Sequence, residues 1–199
     1  MPVQQMPTKS FSLRCGAALT VALLVLGGLS GCATNSTDAR SRSLGTKIDD
    51  QVIEHKVDDD IQHANVRMRE AHIDVTSFNG AVLLVGQIQD EELRQLAAQT
   101  AANVPNVRRV YNELTVGPDN GFAAHASDAL ITSKVKSQLW AQESIKDGSM
   151  VVLTEAGVVY LMGIVSREQA DLAAQVAQNI AGVQKVVRLF EVIGEPGSN

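Results

Sequence analysis

The chain has 199 residues, a formal net charge of −5 and two cysteines; 45% of its residues are hydrophobic and 20% are charged. That mix is ordinary for a globular protein and excludes global disorder. The acidic balance excludes a general nucleic-acid binder, which must neutralise a run of phosphates, and two cysteines build neither a disulfide scaffold nor a four-cysteine zinc site.

The N-terminus reads as an export signal. Lys9 and Arg14 form a basic region with no acid nearby, and Cys15 to Leu29 is an uncharged run that ends in small residues. Such a run is shorter than the roughly 20 apolar residues a spanning helix needs. The junction Leu29-Ser30-Gly31-Cys32 resembles the bacterial lipobox, in which the cysteine is lipidated and becomes the first mature residue. The expected signal is residues 1–31. Loss of Lys9 and Arg14 with it leaves 15 basic against 22 acidic residues, a net of −7. Cys15 goes with the signal and Cys32 is blocked by lipid. A single acyl chain holds a protein marginally, whereas several hold it stably; the lipobox resemblance implies a multiply acylated Cys32. Ala33 follows it, not the aspartate that resembles an inner-membrane retention signal, so the expectation is the outer membrane, facing the periplasm. Residues 32–46 are polar and read as a flexible tether.

The remainder is one unit written twice. Asp50, Ile53, Lys56 and Val57 return as Asp128, Ile131, Lys134 and Val135; Asn79-Gly80 returns as Ala156-Gly157; Leu96-Ala-Ala-Gln99 returns as Leu172-Ala-Ala-Gln175. Each unit opens with an amphipathic helix, with Ile53, Val57 and Ile61 in the first copy and Ile131, Val135 and Leu139 in the second. A hairpin follows. Ile73 and Val75 lead into the Asn79-Gly80 turn, and Val82, Leu84 and Ile88 return; the second copy has Val152, Ala156-Gly157, then Val159, Leu161 and Val165. A second, alanine-rich helix covers about 90–103 and 167–179. A last strand closes each unit, about 107–116 and 183–193. The order α-β-β-α-β predicts an α+β fold with a three-stranded sheet and two helices on one face. The domains are expected at 47–117 and 127–194, with a linker at 118–126 and a tail at 195–199.

The pattern Gly80-x-Val-x-Leu-x-Gly86-x-Ile88, then Glu91, then Val107-x-x-Val110-x-Asn112 resembles the BON domain. The second copy runs Gly157-x-Val-x-Leu-x-Gly163-x-Val165, Glu168, Val183-x-x-Val186, and departs at Arg188, which stands where the first has Asn112. Two such domains behind a lipobox are similar to a group of outer-membrane lipoproteins. That resemblance implies a non-enzymatic role in outer-membrane integrity, with gathering at division sites.

Catalytic signatures are missing from the pattern. There is no Gly-rich phosphate loop after the signal, no G-x-S-x-G elbow and no H-E-x-x-H. The acidic runs Asp49-Asp50, Asp58-Asp59-Asp60 and Asp90-Glu91-Glu92 place no pair of carboxylates across a cleft, and the last suits a helix start. His55, Asp59 and His63 share one face of the first helix, opposite its apolar stripe, with no fourth ligand. His72 and His125 show no partner. No metal, cofactor or small-molecule substrate is expected.

The two first helices differ. At about 100° per residue, Ile131, Val135, Gln138 and Leu139 form the core face of the second copy, while Leu130 and Trp140 fall away from it with Lys134 and Lys136 at their flanks. An aromatic and a leucine beside lysines suit the interface of an anionic membrane. The first copy has Val52, Gln62 and Asp58 at the positions of Leu130, Trp140 and Lys136. In the group that the chain resembles, this helix is the phospholipid-contacting element; Val135 and Trp140 match its apolar positions, and Leu130 stands where a tryptophan is expected. The candidate lipid-binding residues are Leu130, Lys134, Val135, Lys136 and Trp140, with Phe78 at the hairpin tip. Two alternatives stay open. The same patch could dock a partner from the outer-membrane assembly or division machinery, or Leu130 and Trp140 could pack against the first domain.

Overall fold

The computed structural model describes residues 44–146 and 148–193. The export segment, Cys32, residues 33–43 of the tether and the tail lie outside the described residues. Among the described residues no helix is long and apolar enough to cross a membrane.

The first domain runs α1 (Leu44–Ala64), a short 3-10 helix (Val66–Glu70), β1 (His72–Phe78), β2 (Ala81–Ile88), α2 (Glu91–Ala102), β3 (Arg109–Asn112) and β4 (Thr115–Val116). The second repeats the order without the 3-10 turn: α3 (Phe122–Trp140), β5 (Met150–Glu155), β6 (Val158–Val165), α4 (Arg167–Gln178) and β7 (Lys185–Val192). The expected α-β-β-α-β order holds in both. In each sheet the hairpin pairs antiparallel and the last strand runs parallel to the central one, β2 or β6.

The expected closing strand of the first domain is split, but its register is unbroken. Ala81 opposes Arg109 and Ile88 opposes Val116, a constant offset of 28. In the second domain Val158 opposes Lys185, an offset of 27, and the strand is continuous. The extra residue of the first copy accounts for one step of drift in the sequence repeat. At the split, the buried Leu114 joins the helix-side core, and the Glu113 N–H donates to the Leu84 carbonyl at 2.9 Å.

Both central strands are buried on both faces. Val82, Leu84 and Ile88 pack under α1 and α2 with Ile53, Val57, Ile61, Leu93 and Ala97. Val159, Leu161 and Val165 pack under α3 and α4 with Ile131, Val135, Leu139, Ala173 and Ala177. The opposite faces join: Phe78, Ala81, Leu83 and Val85 of one sheet cluster with Tyr160 and Met162 of the other. The layers are therefore helices, sheet, sheet, helices. Burial pushes the Tyr160 hydroxyl up to about 12, with the charges of Glu113 and Glu155 adding to the effect. Gln87 donates to Glu155 across the junction at 2.6 Å, both buried, and Arg108 pairs with Glu191 at 2.8 Å.

The departure at Arg188 is a substitution of one tie for another. Asn112 donates from Nδ2 to the Arg94 carbonyl at 2.9 Å, fastening the last strand to α2. Arg188 instead pairs with Asp171 on α4 at 2.8 Å.

Candidate membrane-facing helix

α3 begins at Phe122, inside the expected 118–126 linker, so it is longer than the apolar periodicity of its core positions suggested. Its inner face carries Asp128, Ile131, Val135 and Leu139. Asp128 accepts the Ala156 and Gly157 amides at 2.8 and 2.9 Å and so locks the helix to the hairpin turn beneath it.

The outer face carries three large exposed apolar side chains and, among the described residues of its arc, no acid. Phe122 is 89% exposed, Leu130 62% and Trp140 47%. Phe122 and Trp140 are 18 residues apart, so they share one helical angle about 27 Å apart. Between them on the same arc lie the exposed Ala126, Ala129, Ser133 and Ser137. The Ser133 hydroxyl donates to the Ala129 carbonyl at 2.9 Å, so its donor is satisfied within the helix. Lys136 borders this arc on one side and Lys134 on the other. Among the described residues neither lysine joins an ion pair, whereas Lys56, the counterpart of Lys134, pairs with Asp60.

Two expected lipid contacts are corrected. Val135 is 0% exposed and belongs to the core beneath α3; its apolar match lies on the inner face. Phe78 is 3% exposed, because the last position of β1 points into the cluster between the sheets. Neither presents its side chain to a membrane. Gln138, assigned to the core face, is exposed beside Lys134. Leu130 and Trp140 stay exposed and neither belongs to the apolar cluster through which the two sheets meet. The reading from sequence missed Phe122, whose short polar surroundings masked the helix start; its spacing of 18 from Trp140 was the available signal.

The matching face of α1 has exposed Ile48 and Val52, but then His55, Asp58, Asp59 and Gln62. Gln62 donates to Asp58, and His63 contacts Asp59, so that surface is hydrogen-bonded and acidic. Elsewhere, His125 Nε2 lies 2.8 Å from Asp119 Oδ1, and the hydrogen bond to Asp119 holds the imidazole above its usual range.

The BON domain model matches residues 49–118 and 127–194. The chain is 35% identical over 190 residues to the outer membrane lipoprotein DolP of Haemophilus influenzae, covering 94% of this chain and 97% of that protein. It is 38% identical over 152 residues to the 21 kDa hemolysin of Actinobacillus pleuropneumoniae, covering 76% and 78%. It is 28% identical over 158 residues to the osmotically-inducible protein Y of Escherichia coli, covering 77% and 78%. The two matched segments coincide with the two folded units, and the chain belongs to the BON domain family as a protein of two such domains.

Proposed function

We propose that this is a non-enzymatic lipoprotein, held through a lipidated Cys32 on the periplasmic side of the outer membrane, whose second BON domain binds anionic phospholipid with the outer face of α3. The observation that carries the reading is the exposed arc of Phe122, Leu130 and Trp140 between Lys134 and Lys136, which join no ion pair among the described residues. Contiguous exposed apolar surface rimmed by charge is rare unless something covers it. A bilayer interface supplies what both parts need: anionic headgroups for the ammonium groups and an apolar layer for shallow insertion of the rings. The likeness to an outer membrane lipoprotein across nearly the whole chain supports the envelope placement. The same lipid surface gives the protein a role in outer-membrane integrity and selects where it gathers, division sites included.

The test is co-sedimentation of the unlipidated Cys32→Ser protein with vesicles. Binding is expected to need anionic lipid, to weaken with salt, and to fall in Trp140→Glu and Leu130→Glu without loss of thermal stability. Unchanged lipid affinity in those variants overturns the reading. Capture of an assembly or division protein through the same residues, with no vesicle binding, supports the adaptor alternative instead.

A further inference from the structure

The fold gathers residues that are distant in sequence at the junction of the two domains. His72 opens β1 of the first domain. His125 lies in the first turn of α3, and Glu155 ends β5 of the second. One ligand atom from each lies within 4.8 Å of the others. The imidazole rings stack with centroids 3.9 Å apart at 36°. The two histidines without visible partners in sequence are therefore each other's neighbours. We propose that His72, His125 and Glu155 form a site for a divalent transition metal, zinc above all, that links the first domain to the second.

The donor chemistry fits zinc. Two imidazoles and one carboxylate are a recurrent zinc set that leaves a position open for water. Tetrahedral ligation with bonds of about 2.0–2.1 Å spaces the donors about 3.3 Å apart, so the present spread must contract by at most roughly 1.5 Å. Imidazole and carboxylate rotations cover such a distance.

The outer contacts are in place. Glu155 is buried, and its Oε1 is held by Gln87 at 2.6 Å and Asn120 at 3.2 Å. That leaves Oε2, 4.0 Å from His72 Nε2, facing the cluster. Asp119 holds His125 at 2.8 Å, the carboxylate–histidine arrangement that orients metal-bound imidazoles. Asp74 Oδ2 also lies 4.0 Å from His72 Nε2. Asp128 lines the same cavity, but its oxygens are taken by the turn amides. The cavity is about 370 Å³ and open to solvent, which gives the ion an entry path.

The experiment is isothermal titration of the chelator-stripped full chain, in detergent micelles, with Zn²⁺, paired with its melting temperature. We expect one Zn²⁺ per chain and a higher melting temperature on binding. His72→Gln and His125→Gln should each weaken binding at least tenfold, with circular dichroism unchanged. Glu155→Gln should do the same, since its amide keeps an oxygen for Gln87. A His55→Gln/His63→Gln double variant should bind as the parent does. Absence of binding at tens of micromolar Zn²⁺ overturns the proposal. So does stoichiometric binding that survives the His72 and His125 variants, or that disappears in the His55/His63 pair.

Discussion

Asp128 on the first helix of the second domain accepts the backbone amide of Gly157, 29 residues later, at 2.9 Å. Asp50 does the same for Gly80 at 3.0 Å, and also takes the Asn79 amide and the Ser77 hydroxyl, each at 2.9 Å. A buried carboxylate is stabilised only when its oxygens are filled, and turn amides facing inward need an acceptor. Each aspartate meets both needs, and it fixes the angle between helix and hairpin.

Asp128→Ala is therefore expected to destabilise the protein by about 3 kcal/mol, because charge-assisted bonds are lost and two amides are left without that acceptor. Asp128→Asn keeps one oxygen acceptor and should cost less, about 1–2 kcal/mol. Urea unfolding midpoints at constant slope measure both. A loss under 0.5 kcal/mol for the alanine variant would show that water replaces the carboxylate.

The two turns carry a second contrast. Asn79 and Gly80 have φ of 52° and 74°; Ala156 and Gly157 have 50° and 73°. Asparagine tolerates this left-handed region, while alanine meets a Cβ clash. Ala156→Asn should stabilise by about 1 kcal/mol, and Asn79→Ala should destabilise by a similar amount. Thermal melts of the two variants should shift in opposite directions.

Why the fold was legible follows from these positions. Asp50 and Asp128 recur in the aligned copies, the turn dipeptides interrupt alternating apolar runs, and three apolar residues per helix share a face. Those signals are local. Phe78 illustrates the limit, because whether a strand end faces another sheet depends on what packs there. Val135 is legible, since periodicity already puts it on the core stripe, and only the family resemblance makes it a lipid contact. The second face of β2, with Leu83 and Val85, had no partner until Tyr160 and Met162 met it. His72 and Glu155 are 83 positions apart, and only the docking of the sheets brings them together.

Glu91, at the start of α2, predicts a pH dependence. Hydrogen bonds from Arg94 and then Gln95 lower its carboxyl from 4.5 to about 2. The folded state favours the ionised form, so the contribution is fully present above pH 4.5 and is lost as pH falls toward 2. Glu91→Gln should remove that part of the acid dependence, so the variant is slightly less stable than the parent at pH 7 and the two converge as pH falls toward 2. The pair is on the surface, so added salt should shrink the difference. Urea midpoints of both proteins from pH 2 to 7 check the sign.

Phe78→Ala should separate fold from lipid contact. Removing a buried ring from between the sheets should cost about 3–5 kcal/mol. Lipid affinity of the remaining folded protein should be unchanged, because the ring lies in the cluster between the sheets. Vesicle binding measured well below the melting temperature tests this; a loss of binding matching that of Trp140→Glu would return Phe78 to the membrane surface.

The last prediction separates charge from insertion on α3. Lys134→Gln and Lys136→Gln should each cost roughly 1 kcal/mol of affinity for anionic vesicles. That cost should shrink as salt rises, because the Debye length falls from about 10 Å at 0.1 M to about 3 Å at 1 M. Phe122→Ser should cost about 1–2 kcal/mol, less than full burial of a phenyl ring, since interfacial insertion is shallow. That loss should be nearly independent of salt, because nothing charged is removed. Gln62→Glu, the counterpart of Trp140→Glu in the first domain, should change little, since α1 already carries Asp58, Asp59 and Asp60. A salt titration of vesicle binding for the four variants gives the decision. If Phe122→Ser is as salt-sensitive as the lysine variants, the ring does not enter the interface. If the lysine variants lose nothing at low salt, headgroup attraction does not hold α3 to the bilayer.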